Sequence, residues 1–410
     1  MGCLWLTLCD PDPPVNGQFL YSAGLIRATA AAGLPLTVVG LERSDRSPRR
    51  RTEDGIEWIF AEDRPPSKFA RRLSRLPVMA TRACTPEMER EVAACLAAGG
   101  WEAIVFDSIC AAWALPLALR YRAARPATLL VYLSHNHETT VARHLAQAGT
   151  GWRRQLAMVD SMKMGWFERR VAQSVDVVTA NTPEDCAKFS AMIGGRPVPF
   201  LPPGYGGLRV DVRRIGNNLP RRAIVVGSFD WPPKRLSIEA FLSAASRPFA
   251  AAGIALQIVG SSEPDFLADL RRRYPTVEFT GPVSDVRPYM AQARLALVPD
   301  QLGGFKLKSL DYVFSRLPIF AMAGAVPGVP LQDGRSVRLF ASHAAMVRGV
   351  IDAIDDPENL DRQQQLAFAA CDGNFEWPAI GARLVAEIRR RQKTSPATAE
   401  PAASRFARAS

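Results

Sequence analysis

The chain is poor in the residues that staple small folds or hold metals: among 410 residues there are seven cysteines and four histidines. The cysteines (Cys3, Cys9, Cys84, Cys95, Cys110, Cys186, Cys371) are scattered, odd in number and free of C-x-x-C spacing. That pattern argues against a disulfide framework or a thiolate zinc site and for a reducing, cytoplasmic setting. His135 and His137 could both touch a metal, but no second ligand cluster accompanies them, and no metal is expected. No run of about 20 apolar residues occurs, so no membrane span is expected. Residues 1–9 lack a basic lead and a full apolar core, and read as a first strand rather than a signal peptide. Leu6 stands where a myristoylation start wants Ser or Thr. Repeats of solenoid period and helix-turn-helix, zinc-finger or RNA-binding signatures are missing too, so nucleic acid is not an expected partner.

What is present is an ordinary globular composition, 48% apolar and 22% charged, in a chain long enough for two cores. The net charge of +11 asks for an acidic partner, either a phosphorylated substrate or an anionic membrane surface. Arginines come in pairs and triplets. The runs at 271–273 and 389–391 read as solvated or membrane-facing, which would suit peripheral attachment at the inner face of a membrane.

Short apolar runs alternate with amphipathic stretches, the pattern of parallel α/β sheets. Strands are predicted at 4–9, 36–41, 56–61, 103–107, 129–134, 175–180 and 198–201, with helices at 20–32, 87–98, 111–120 and 160–172. The segment Pro202-Pro203-Gly204-Tyr205-Gly206-Gly207 breaks the pattern. A second series follows at 223–229, 255–260, 277–281, 295–298, 318–323 and 338–340. The expected layout is a Rossmann-like domain over 1–204, a second over 205–375, a helix over 376–392 and a disordered Ser/Pro/Ala-rich tail over 393–410.

The most informative stretch is Gly303-Gly304-Phe305-Lys306-Leu307-Lys308-Ser309-Leu310-Asp311-Tyr312. It follows the 295–298 strand and opens a helix predicted to reach Arg316. A glycine turn before a helix leaves backbone N–H groups at the positive end of the helix dipole, which suits phosphate. Lys306 and Lys308 add positive charge for a diphosphate, and Asp311, on the Lys308 side of the helix, could accept from sugar hydroxyls. The same letters also fit a plain turn followed by solvated lysines.

This run resembles the donor-site signature of glycosyltransferases with the GT-B fold, family 4 (group 1) in particular. Lys308-Ser309-Leu310-Asp311 and Arg316-Leu317-Pro318-Ile319 take the places of Lys-x-Leu-Glu and Gly-x-Pro-Val. The resemblance spans nearly the whole chain, is clear in the second domain and weak in the first, and includes the Asn374-Phe375-Glu376-Trp377 start of the last helix. It implies two Rossmann-like domains facing across a cleft, with the C-terminal helix crossing back to the first domain. It also implies a donor site with Lys234 and Lys308 on the leaving diphosphate and Gly17, Gly227, Gly303, Gly304, Phe305, Lys306 and Asp311 lining it.

Two family contacts are missing. Ser228 occupies the position of an arginine after Gly227, and Gly303 that of a glutamate that often contacts the transferred sugar. Asp311 stands for a longer glutamate. The loop Asp12-Pro13-Pro14-Val15-Asn16-Gly17-Gln18 resembles the family's flexible glycine loop, and equally fits a turn before a helix. His135, closing a predicted strand, resembles a family histidine that faces acceptor and sugar; a hydrogen-bonded core histidine fits as well. Glu138 reads as a cap for the next helix. The activity implied is transfer of a sugar from a nucleotide diphosphate-sugar to an acceptor hydroxyl on a glycan, a lipid-linked carrier or a small molecule, with retention and no metal or other cofactor. The alternatives are an epimerase or phosphorylase on the same scaffold, and a non-catalytic nucleotide-sugar-binding relative.

Overall fold

A computed structural model describes residues 2–43, 49–64, 67–300 and 304–394. The chain divides into two compact units. One comprises Met1–Asn181, Asp185–Leu201 and the segment from Trp377 onward; the other comprises Thr182–Glu184 and Pro202–Glu376.

The first unit is built on seven strands: β1 (Gly2–Cys9), β2 (Leu36–Leu41), β3 (Arg50–Glu53), β4 (Ile56–Ala61), β5 (Trp101–Asp107), β6 (Leu129–Ser134) and β7 (Val177–Ala180), in the order β3-β4-β2-β1-β5-β6-β7. All pair in parallel except β3, which is antiparallel to β4. The β2 and β6 runs are buried along their whole length, as strands covered on both faces must be. One face packs Leu4, Leu6, Phe106 and Tyr132 against flanking helices; the other packs Trp5, Val38, Val105 and Leu133. The helix Trp377–Thr394 contributes Ile380, Leu384 and Ile388 to that second face. It lies so close to the helix Gly17–Ala31 that a side chain at Gly24 would strike the Trp377 ring. The crossing of the last helix back to the first domain is therefore as expected.

Some predictions change. The 198–201 strand reduces to a single bridge between Ala180 and Phe200. Gly17 opens the first helix instead of sitting in a loop, and Asn16 caps that helix by accepting from Phe19 N at 3.0 Å. The helix predicted over 160–172 runs from Gly151 to Ser174.

The second unit carries β8 (Arg222–Val226), β9 (Ala255–Val259), β10 (Glu278–Phe279), β11 (Leu295–Val298), β12 (Ile319–Met322) and β13 (Arg338–Phe340), all parallel, in the order β10-β9-β8-β11-β12-β13. Strand order reverses between β8 and β11, as it does between β1 and β5 in the first unit. Loops at the carboxyl ends of such strand pairs are where open α/β sheets bind ligands. The helix after β11 spans Leu307–Phe314, not as far as Arg316, which adopts a left-handed φ of 51° beyond the helix end.

Candidate functional site

In the second unit the switch point brings together the loop after β8, the loop after β11 and the starts of two helices. Tyr312 fixes their relative position: fully buried, its hydroxyl oxygen accepts from Val226 N at 2.7 Å and so ties the Leu307–Phe314 helix to the end of β8. Gly260 lets β9 close in beside them. Its φ is +135°, and a Cβ there would lie 1.9 Å from the Gly227 carbonyl oxygen. The Gly227 N–H already donates to Val259 O at 3.0 Å, so Gly227 acts through the closeness of its backbone and not through an available N–H.

Asp300, two residues beyond β11, is the centre of the site. It is 4% exposed and pairs with Lys308. Burial alone would raise its carboxyl; Lys308, Lys306 and Lys234 outweigh burial and hold it below the usual carboxylate range. Lys234 enters from the first turn of the helix Pro232–Ala251. Burial, then the neighbouring Lys308 charge, push its pKa down, while Asp300 and Asp230 act in the opposite direction. Three lysines thus converge on a buried carboxylate.

The other residues of the predicted donor motif divide. Asp311 is half-buried, with its pKa pushed up by burial to about 6 and drawn back by a hydrogen bond from Tyr205. Tyr205 stacks on Phe314, with centroids 4.6 Å apart. Phe305 packs against the apolar cluster, its ring centroid 5.7 Å from that of Phe375. Lys306 occupies the cap position of the Leu307–Phe314 helix, with Gly304 two residues before it. Gly303 lies outside the described residues. Ser228, in the place of the family arginine, donates to Asp230 Oδ2 at 2.7 Å.

In the first unit the carboxyl ends of β5 and β6 carry Asp107 and His135. His135 is 8% exposed, and its Nε2 lies 2.6 Å from Asp107 Oδ1. Burial would raise the Asp107 carboxyl, but His135, Trp5 and Ser22 hold it below the ordinary range. An ionised carboxylate only accepts, so His135 Nε2 carries a proton. The Trp5 indole donates to Asp107 Oδ2 at 3.1 Å, Tyr21 meets the His135 ring edge-on with centroids 5.0 Å apart, and Asn181 Nδ2 donates to the His135 carbonyl at 2.8 Å. His137 bonds Thr140 Oγ1 at 2.7 Å, and its pKa is pushed down to about 4, first by burial and then by Lys188.

Glu138 does not cap its helix. Glu168 does, accepting from Glu138 N at 2.8 Å and Thr139 N at 2.9 Å. Burial pushes the Glu138 carboxyl up to about 8. The loop before the first helix is bound inward by Asp12–Arg27 at 2.7 Å and Asp10–Arg51 at 2.9 Å. Among the described residues no group of three or more His, Cys, Asp or Glu side chains is placed to hold a metal ion.

Residues 220–356 match the family described as Glycosyl transferases group 1. No curated protein matches the chain. Among solved structures, a sucrose-phosphate synthase from Thermosynechococcus elongatus aligns over 96% of this chain and 100% of its own, at 19% identity and a TM-score of 0.73. WaaG, a glycosyltransferase involved in lipopolysaccharide biosynthesis, aligns over 93% and 99%, at 17% identity and a TM-score of 0.63. HepE of Anabaena, in complex with UDP and glucose, aligns over 95% and 100%, at 14% identity and a TM-score of 0.61. The fold is that of the GT-B glycosyltransferases. The group 1 match lies within the second unit, and together with the fold it supports a transferase.

Proposed function

We propose that the protein transfers a glycosyl group from a nucleoside diphosphate-sugar to an acceptor hydroxyl, with retention of configuration and without a metal ion. The observation that supports this most is the charge balance beside β8 and β11: Lys234, Lys306 and Lys308 act on the single buried carboxylate of Asp300. Asp230, at the exposed end of the loop, offsets Lys234 only in part. The surplus positive charge is partly desolvated, where it interacts strongly with an incoming anion. A diphosphate fits it, and the charge that grows on the leaving diphosphate in the transition state is stabilised by lysines in place of a divalent cation. Asp311, near the Tyr205 hydroxyl, is suited to accept from ribose hydroxyls.

In the first unit, His135 is assigned to orient the acceptor or the transferred sugar. With Nε2–H held by Asp107, Nδ1 is the ring nitrogen left for a hydrogen bond with the acceptor or sugar. In a retaining transfer the departing phosphate can itself take the acceptor proton, so no base is required of His135. The UDP and glucose in the HepE structure make uridine diphosphate sugars the first donors to try. Glycans, lipid-linked carriers and small alcohols are the acceptor classes, in the cytoplasm.

The test is a panel of nucleotide sugars with such acceptors, in chelator, with the anomeric configuration of the product read by NMR. An inverted product contradicts retention, and activity that vanishes with chelator and returns with a divalent cation contradicts metal independence. The Ser228–Asp230 hydrogen bond, which closes a position where the family places an arginine, favours one second reading: a nucleotide-sugar-binding relative. Nucleotide binding with no turnover across the panel would assign it, and conversion of the donor without any acceptor would assign an epimerase.

A further inference from the structure

The arginine runs expected to face a membrane are internally engaged. Arg273 pairs with Glu239 at 2.6 Å, Arg272 with Asp269 at 2.6 Å, and Arg271 donates to Phe279 O at 2.9 Å. Arg390 and Arg391 share Glu387 at 2.6 and 3.0 Å, and Arg389 lies 3.4 Å from Gly33 O. A different surface has the opposite character.

The helix Gly151–Ser174 of the first unit turns Ser161, Met164, Phe167, Val171 and Ala172 inward. Its outer face carries Trp152, Leu156, Val159, Met162 and Trp166, at spacings of four, three, three and four residues that keep them on one stripe. Trp152, Met162 and Trp166 are 63%, 64% and 57% exposed. At 1.5 Å per residue the stripe is about 20 Å long. Phe69 and Leu73, 73% and 70% exposed, belong to the helix Lys68–Leu73. That helix is tied to the stripe's own helix where Lys163 Nζ donates to Ser74 O at 2.7 Å. Monomeric soluble proteins rarely expose a contiguous apolar face of this kind.

The charge on this helix is one-sided. Its two carboxylates are withdrawn from the outer face: Asp160 accepts from Val78 N at 2.9 Å, and Glu168 is buried under the Glu138 helix start. The exposed charges that remain are Arg153, Arg154, Arg169 and Arg170. Arg153 lies over the Trp152 ring and Arg170 over the Trp166 ring, at 5.7 and 5.3 Å from the centroids. Tryptophans at both ends of an apolar stripe, each beside an arginine, match the chemistry of a lipid headgroup boundary: indole at the interface, alkyl groups below it, guanidinium on phosphate. No helix among the described residues is long and apolar enough to cross a membrane, so the contact is lateral.

We infer that the outer face of the Gly151–Ser174 helix, with Phe69 and Leu73 beside it, docks on an anionic lipid bilayer. The inference stands apart from the proposed transfer reaction and does not depend on it. The experiment is co-sedimentation of the full chain with vesicles of phosphatidylcholine alone and of phosphatidylcholine with phosphatidylglycerol. Binding to the anionic vesicles is expected to be at least about tenfold stronger, and to weaken without vanishing in high salt. The exposed double variant W152S/W166S is expected to lower it by about tenfold or more, and R169E/R170E to remove the preference for anionic lipid. Equal binding to both vesicle types, binding to neither, or binding unchanged in both variants overturns the inference. A lipid-free dimer that W152S/W166S converts to monomer also overturns it, in favour of a second copy as the occupant.

Discussion

Both units place their candidate residues at the carboxyl ends of strands, astride the reversal in strand order in the second unit and on one side of it in the first, and the local electrostatics differ. In the second unit, Lys234, Lys306 and Lys308 face the one buried carboxylate of Asp300, and the surplus is positive. In the first, Asp107 and His135 satisfy each other, with Trp5, Ser22, Tyr21 and Asn181 closing round them. On the proposed reading, one place takes up an anion, while the contacts of the other hold a ring in one orientation.

The largest way to break this contrast is to remove Lys308. Lys308→Ala removes the direct partner of Asp300 and leaves it only the Lys234 and Lys306 charges, so the second unit should lose about 1.5–3 kcal/mol of stability in chemical denaturation, together with its affinity for nucleoside diphosphates. Replacing Asp300 with Asn in the same chain should return most of the stability and none of the affinity. Recovery of both would make the pair a structural feature only.

The first unit should reveal itself through pH. Burial raises the Glu138 carboxyl to about 8, so its protonated form is held in the folded state. The stability this contributes is fully present below the ordinary glutamate value near 4.5 and is lost as pH rises through about 8. Between pH 5 and pH 8 the unit should weaken by roughly 2–4 kcal/mol, and Glu138→Gln should flatten that dependence. Equal pH profiles for the two proteins would contradict the assignment.

His135→Ala should lower transfer about a hundredfold, the order expected when a positioning contact is lost, while nucleoside diphosphate affinity stays near wild type. His135→Gln, which keeps a donor and an acceptor, should recover part of the activity. Asp107→Asn should lower turnover with little change in nucleotide affinity, since it loosens only the ring that Asp107 holds. Full activity in His135→Ala would leave that residue as a satisfied core histidine.

How far these features can be read from the sequence depends on whether the signal is local. The strands at 36–41, 56–61, 129–134, 295–298 and 338–340 coincide with the observed bounds because each is a compact apolar or mixed run ended by polar or turn residues. The edge strand Arg50–Glu53 was not anticipated, since its residues are polar and largely exposed. The Asp54-Gly55 turn beyond it, with φ of 53° and 73°, was the available hairpin signal. Lys308 and Asp311 stand out by spacing within one segment and Lys234 by resemblance, and their ligand roles belong to the proposal. The Asp107–His135 contact joins residues 28 apart on different strands, and Glu168 reaches Glu138 N from 30 residues away, so neither has a local signature. Asp300 lies two residues beyond the end of β11, and its pairing with Lys308 eight residues on has no signature in the sequence pattern.

The central claim is that the lysine cluster of the second unit recognises a diphosphate. Lys234 tests it most directly, because it is the member of the cluster that leaves no partnered carboxylate behind among the described ion pairs. Calorimetric titration of wild type and Lys234→Ala with a nucleoside diphosphate and with the matching nucleoside should show a loss of about 1.5–3 kcal/mol for the diphosphate and almost none for the nucleoside. An equal loss for both ligands, or no loss for either, would contradict it.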